Sequence, residues 1–472
     1  MIARGNGSAG MNGQSIVEKL AAQICRAAAE PVADRKVIHA VERVLLDSLA
    51  CALGATDSPA VRAARAWANL MGGRPSATLL GTGEQSSASG ATMVNSIMVR
   101  DLDLNDTYFS RNPAHNSDNL GACLAVGEVA AASADEIIKS ILVAFEVQMR
   151  ACEFTAKSFF KETGWDQTTL VTLASAAAAG VLLRLDQSRM AHALAIAGCY
   201  PGIGEIRVGQ LSMMKGASAG LAATRGVEAA YLAAAGMTGP REVFEGQRGM
   251  AKLMLGECDW ELLVAPFGDW RLPRTCLKRY PAAYIIHSSI DLALDMRREH
   301  HLVASDVESV TVEAFGRLIE DMVNGMGGVS RYEIDSRETA DHSLPFCVAV
   351  ALFDGEYGLR QLKEKRWEAP EVRELMHKMR FVHDRKMDER FPPDRPSRLT
   401  IVRRDGRTLV KEVPYPKGDY RSPFSDAEIA DKFRALSAEI LTPPRQEIAI
   451  ERALNFSRGS VRGLLDACTR DR

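Results

Sequence analysis

The chain has 472 residues, more than one ordinary hydrophobic core serves, so two domains are expected. Charged residues make up 25% and hydrophobic ones 46%, an ordinary globular composition, and the net charge of −2 calls for neither nucleic acid nor an anionic membrane as partner. No apolar run is long enough to span a bilayer.

Residues 1–14, MIARGNGSAGMNGQ, are Gly-rich and lack the apolar stretch of a signal peptide, so a flexible tail and a cytoplasmic location are expected. Ser15 is placed to cap a helix with apolar residues at 16, 20, 24 and 28. Asp34 opens a second helix, with Gly54 as its C-terminal glycine. Alanine-rich stretches follow, ASAAAAGVLL (174–183), MAHALAIAGC (190–199) and GASAGLAATRGVEAAYLAAAG (216–236), whose small side chains allow close helix packing.

The character changes near 270. A helix is predicted around 283–301, then the alternating, β-branched VESVTVEAF (307–315) predicts a strand. Helical segments at 342–353 and 370–380 precede RLTIVRRDGRTLVKEVPYP (398–416), a hairpin turning at Asp405-Gly406. Helical sequence resumes at SDAEIADKFRALSAEI, where Ser425 and Glu428 have capping-box spacing. The fold predicted is mainly α: a large all-helical domain of 15–270 plus 417–472, with a smaller α/β domain, 271–416, inserted. The cleft between them is the expected ligand site.

Nine scattered cysteines without a CxxC pair point to reduced thiols and give no iron–sulfur ligand run. No zinc-ligand spacing, P-loop or dinucleotide fingerprint appears, so any chemistry is expected to use side chains alone, with no metal or cofactor. Four segments offer that chemistry. DLDLNDTYFSRNPAHNSDN (101–119) holds Asp103, Thr107 and His115 in one irregular stretch, a carboxylate and a histidine being a usual pair for proton transfer. It also reads as a surface loop of turn and cap residues. RVGQLSMMKG (207–216) places Arg207 and then Lys215 at the start of a small-residue helix, suited to an anion or to plain solvation. CLKRYPAAYIIH (276–287) gathers Lys278, Arg279, Tyr280 and His287, and equally suits a polar linker. TADHSLPF (339–346) presents His342 at a helix start, where a structural hydrogen bond is more usual than catalysis. Together they suit a small polyanion, with Lys215, Lys278, Arg207 and Arg279 as carboxylate-holding candidates.

In this order, DLDLNDTY with AHNSDNLG, GWDQTTL, RVGQLSMMKG, LKRYP with IIHSSID, DHSLPFCVAVALFDG and YPKGDYRSPFSDAEIADKF resemble the MmgE/PrpD family over nearly the whole chain. The resemblance implies a helical domain with an inserted lid, a homodimer, and catalysis without metal. Asp103, Thr107 and His115 match the family's active-site loop, and Lys215 and Lys278 match its two active-site lysines. It implies a 2-methylcitrate dehydratase-like elimination of water from a hydroxy di- or tricarboxylate. The alternatives are a cis-aconitate-type decarboxylase, an epimerase or isomerase of a related acid, or a non-catalytic helical scaffold protein. The decarboxylase branch carries histidine where this chain has Asp166 and Ala283, and tyrosine where it has Phe346; these differences argue against cis-aconitate decarboxylation. Asn116 stands where the family has proline.

Overall fold

The computed structural model describes residues 13–155, 162–209 and 211–470, so most of the expected tail lies outside the described residues. The architecture is mainly α. Among the described residues nine helices come first: α1 (Ile16–Ala29), α2 (Arg35–Gly54), α3 (Pro59–Met71), α4 (Ala88–Arg100), α5 (Leu120–Val129), α6 (Ala134–Glu153), α7 (Thr168–Leu182), α8 (Gln187–Ala197) and α9 (Met214–Ala234). One-turn segments are given below by residue number. The start of α1 is a full capping box: the Ser15 N–H donates to Glu18 Oε2 at 2.7 Å while Ser15 Oγ accepts from the Glu18 N–H. Asp34 caps α2 by accepting from the Lys36 N–H.

Gly54 differs from its expected role. It is still helical, with Ala55 as the cap, and its backbone is not left-handed. A Cβ at Gly54 would lie 3.0 Å from Leu102 Cδ1 and 3.3 Å from Leu436 Cβ, so the glycine lets Leu102, at the start of loop 101–119, and Leu436 come close. The small residues of α9 work the same way. A Cβ on Gly226 would lie 2.5 Å from the Thr172 carbonyl, and one on Gly220 would lie 2.6 Å from the Met93 carbonyl. Helix α9 therefore packs backbone to backbone on α7 and α4, and all three are fixed closely in place.

Among the described residues two large, separate apolar cores form. One gathers side chains from residues 17–277 and 424–468, the other from residues 280–401. The second core contains α10 (His287–Glu299), α11 (Leu344–Asp354), α12 (Pro370–His377) and a four-stranded sheet. The sheet comprises β1 (Val307–Ala314), β2 (Met379–His383), β3 (Ser397–Arg403) and β4 (Thr408–Val413), in the order β2-β1-β3-β4. β1 pairs parallel with β2 and antiparallel with β3, while β3 and β4 form the hairpin, with Gly406 at φ +82° in its turn. β2 falls partly where helix was expected: α12 stops at His377, and Met379 begins a mostly solvated edge strand with little apolar alternation to announce it.

The chain returns to the first core through α13 (Asp426–Ser437), capped as its Ser425/Glu428 spacing predicted, then α14 (Pro443–Leu454) and α15 (Val461–Ala467). Helix α13 lies on α2. From it Lys432 Nζ donates to Asp47 Oδ1 at 2.6 Å, to the Leu104 carbonyl at 2.8 Å and to the Lys278 carbonyl at 2.9 Å. One buried ammonium thus ties α2, the loop after α4 and the segment that enters the second core. Replacing it leaves Asp47, fully buried, without its cation. Lys432→Met is expected to cost about 3–5 kcal/mol of unfolding free energy, read from urea titrations, with Asp47→Asn in the same chain recovering part of it. A loss below about 1 kcal/mol, the size of an exposed pair, would mean that the ammonium is not a structural tie.

Candidate functional site

Loop 101–119 leaves α4 through Asp103, whose φ of +51° is a left-handed conformation that aspartate tolerates better than most side chains. Its carboxylate is 2% exposed and surrounded by cations. Lys278 Nζ donates to Oδ1 at 2.9 Å and to the Asp103 carbonyl at 3.0 Å, Arg100 Nη1 also bonds Oδ1, and Lys215 Nζ approaches Oδ2 at 3.4 Å. Lys215 makes its shorter bond, 2.6 Å, to Asp341 Oδ1, which also accepts from His342 Nδ1 at 2.6 Å. Burial alone would raise Asp103, but Lys215, Lys278 and Arg100 together hold its carboxyl well below the usual range. Asp341 is likewise held low against burial by Lys215 and His342.

Lys278 reaches this place by backbone pairing. The Thr107 N–H donates to the Cys276 carbonyl at 2.8 Å and the Cys276 N–H returns to the Thr107 carbonyl at 2.9 Å, laying the 276–278 segment along the loop. Thr107 Oγ1 donates to the Ala114 carbonyl at 3.2 Å, so toward a ligand it is an acceptor. Burial brings Lys278 down to about 8 despite Asp103.

His115 points the other way electrically. Its Nδ1 donates to the Asp106 carbonyl at 2.7 Å, which leaves the lone pair on Nε2. Burial, then Arg100 and Lys278, keep its pKa well below 6.5, so the imidazole is neutral at pH 7. The Asp106 carboxylate holds the turn that carries it, accepting from the Asn116 N–H at 3.2 Å, the Ser117 N–H at 3.0 Å and Ser117 Oγ at 2.6 Å. A proline at 116 would lack that first donor, so this chain's asparagine adds a bond to the loop. The asparagine side chain itself is buried with neither polar atom hydrogen-bonded, and nothing in the structure explains it.

These residues line one cavity of about 120 Å³ where the two cores meet. Asp103, Thr107, His115, Arg207, Lys215 and Lys278 all face it. Arg279 does not: it is half-exposed on the outer surface, 3.7 Å from Asp291 and over the Tyr280 ring. Arg207 lines the cavity but is already engaged, its Nε and Nη2 donating to Asp166 at 2.8 and 3.3 Å and its Nη1 to the Lys215 carbonyl at 2.8 Å. His287 is buried against the Tyr280 and Tyr284 rings, and Phe346 is buried against Tyr357 and Trp367; neither lines the cavity. His342, Asp166 and Ala283 do line it, as do Arg100 and Arg317, which the sequence reading did not single out. The signal for Arg100 was present, a lone arginine closing the apolar run ATMVNSIMVR.

Donor atoms of Asp103, Asp341 and His342 lie within 4.8 Å of one another, a spacing a metal ion could use. Lys215 Nζ already sits among them, and Lys278 and Arg100 bond the other Asp103 oxygen. A divalent ion would meet three protein cations at contact range, so the charge of this donor set favours anions.

Sequence models of the MmgE/PrpD N-terminal and C-terminal domains match residues 18–263 and 280–456. The chain belongs to the MmgE/PrpD family. The human cis-aconitate decarboxylase is 27% identical over 446 residues, covering 91% of this chain and 89% of its own. The 2-methylcitrate dehydratases of Cupriavidus necator and Escherichia coli strain K12 are each 24% identical, covering 88% of this chain and 88% and 89% of their own. In this MmgE/PrpD chain the N-terminal match supplies Asp103, His115 and Lys215, the C-terminal match supplies Asp341 and His342, and Lys278 lies between them.

Asp103→Asn removes the one carboxylate that three cations share and is expected to cost about 3–5 kcal/mol at pH 7. Because the folded carboxyl is held below its unfolded value of about 3.9, its contribution is full above that pH and is lost on further acidification. Urea titrations should therefore show a wild-type-to-variant gap that is flat from pH 7 to 5 and narrows below about pH 4; a gap that widens with acid would contradict the assignment.

Proposed function

We propose that this protein is a lyase that removes water from a hydroxy di- or tricarboxylate, as 2-methylcitrate dehydratase does. One observation carries the reading: a neutral histidine with a free Nε2 faces the same cavity as two buried lysines anchored on one carboxylate. A proton next to a carboxylate is weakly acidic, and its removal needs a base on one side and cations on the side where negative charge develops. His115 is the base. Its low proton affinity comes from burial together with Arg100 and Lys278, and an arriving polyanion offsets those two charges and raises it.

Asp103 works as the positioning residue for the lysines, since a carboxylate held this low is a poor proton acceptor. Lys215 holds the substrate carboxylate whose α-carbon loses the proton. Lys278, with its ammonium loosened to about 8, supplies the proton with which the hydroxyl leaves as water. Thr107 Oγ1 accepts from that hydroxyl and fixes its direction. The C–H pair becomes the new double bond, His115 carries the proton removed, and solvent returns a proton to Lys278. The reading takes segment 271–416 as a lid, needs no metal or cofactor, and is that of a cytoplasmic homodimer.

Two positions favour dehydration over decarboxylation. Asp166 and Ala283 line the cavity where the decarboxylase branch has histidines, so an ion-paired carboxylate and a methyl group stand in place of two proton donors. Citrate, 2-methylcitrate, cis-aconitate and smaller hydroxy acids, screened with proton NMR of the products, test this: an alkene and water are expected, and loss of CO₂ from cis-aconitate as the main reaction would refute it.

His115→Gln should lower kcat by about 10²–10⁴-fold with a smaller change in KM, the usual range for removing a general base. The kcat/KM profile of the wild type should show no acid limb near 6.5, because His115 is neutral down to lower pH, and a basic limb near pH 8 as Lys278 loses its proton. Lys278→Met should abolish that basic limb; its survival would move the proton donor elsewhere.

A further inference from the structure

The cations of the cavity are almost fully matched by the protein itself. Arg207 is paired with Asp166, and Arg317 with Asp321, whose Oδ2 accepts from Arg317 Nε at 3.2 Å. Arg100, Lys215 and Lys278 share Asp103 and Asp341, and Arg100 Nε also lies 3.9 Å from the buried Asp118. The two lysines still have N–H bonds to offer, one carboxylate each, while the guanidinium of Arg207 has its charge cancelled from inside the cavity wall.

Asp166 is fixed in that role by more than the arginine. Its Oδ1 also accepts from the Thr168 N–H at 3.0 Å, capping the start of α7, and the side chain is 1% exposed. It cannot swing away to release Arg207 without uncapping the helix. Apolar side chains line part of the cavity as well: Leu211 lies four residues beyond Arg207, and Met326, whose carbonyl accepts from the Gly209 N–H at 3.1 Å, is held against the Arg207 segment. Met322 and Ile285 are also among the lining residues, as is the polar Gln167 beside Asp166.

We infer that the cavity is built for a dicarboxylate whose third arm is uncharged and apolar, with Asp166 as the residue that rejects a third carboxylate. This narrows the substrate class of the dehydratase reading above and rests on it. Two carboxylates meet Lys215 and Lys278; a third at the Arg207 end would be brought against a fixed carboxylate with no free cation to offset it, and like charges brought together in a dry site cost several kcal/mol. An alkyl arm there loses nothing and buries its surface on Leu211 and Met326.

The test uses two ligands of one skeleton that carry no hydroxyl and so bind without turnover: propane-1,2,3-tricarboxylate, and ethylsuccinate, in which a methyl replaces one terminal carboxylate. Calorimetric titration of the wild type should give ethylsuccinate at least about tenfold tighter binding. Asp166→Asn keeps the cap oxygen and frees the charge of Arg207, so the ratio should fall to near one or reverse. The double variant Asp166→Asn/Arg207→Gln, which again leaves no net charge, should restore the preference for ethylsuccinate. Circular dichroism of both variants confirms the fold before the ratio is read. Equal binding by the wild type, a ratio unmoved in a folded Asp166→Asn, or no binding of either ligand overturns the inference. If the ratio behaves as expected and no hydroxy acid is dehydrated, the specificity assignment stands and the dehydratase reading fails; turnover without the ratio is the reverse.

Discussion

The carboxylate of Asp103 is the constraint on which the rest of the molecule depends. It is buried, held on a left-handed backbone, and bonded by cations from three distant parts of the chain: Arg100 at the end of α4, Lys215 at the start of α9, and Lys278 where the chain enters the second core. Removing an ion from water costs several kcal/mol, and each of these four charges would be intolerable there alone. Together they are mutually required. The cluster brings α4, α9 and the entry segment of the second core to one point, which is also the place where the cavity opens.

Around that point burial decides which groups carry charge. His115 and His342 lie within one cavity and both are kept neutral at pH 7, His342 down to about 4 through burial and then Lys215. Their Nδ1 atoms are engaged, one on a backbone carbonyl and one on Asp341, so both leave Nε2 as the unprotonated nitrogen. Asp106 and Asp118 are pushed the opposite way, to about 7 and about 6, because desolvation outweighs the hydrogen bonds that Asp106 accepts from Ser117 and the attraction of Arg100 and Arg207 for Asp118. The site therefore stores its basicity in imidazoles and its fixed negative charge in the three-cation aspartate, a division that follows from how many cations each group faces.

Much of this was legible in the sequence, for identifiable reasons. Helix starts with a capping box, at Ser15 and Ser425, and a hairpin with Asp405-Gly406 at its turn are local chemistry and appear where the residues place them. Loop 101–119 stood out because its polar residues share no period with the helices around it. What the sequence did not reveal depends on contacts between remote residues. Gly54 looked like a helix stop, but its purpose is contact with Leu102 and Leu436, nearly 400 residues away in the latter case. β2 is an edge strand whose pairing with β1 supplies what its sequence lacks. Arg207 and the weaker candidate Arg279 both read as carboxylate holders in the sequence, and their partners, Asp166 inside the cavity and Asp291 outside it, separate them.

Lys432 gives the architecture an order in time. It is made 154 residues after Lys278, the carbonyl of which it holds, a delay of roughly 8–30 s at about 5–20 residues per second of synthesis. Until then Asp47, Leu104 and Lys278 have all been made, and the side chains of the second core have all left the ribosome's catalytic centre before α13 is complete. The smaller core is thus free to form first, and the larger, through which the chain begins, closes last. A nascent chain therefore carries Asp47, Leu104 and Lys278 through that interval without the ammonium that joins them.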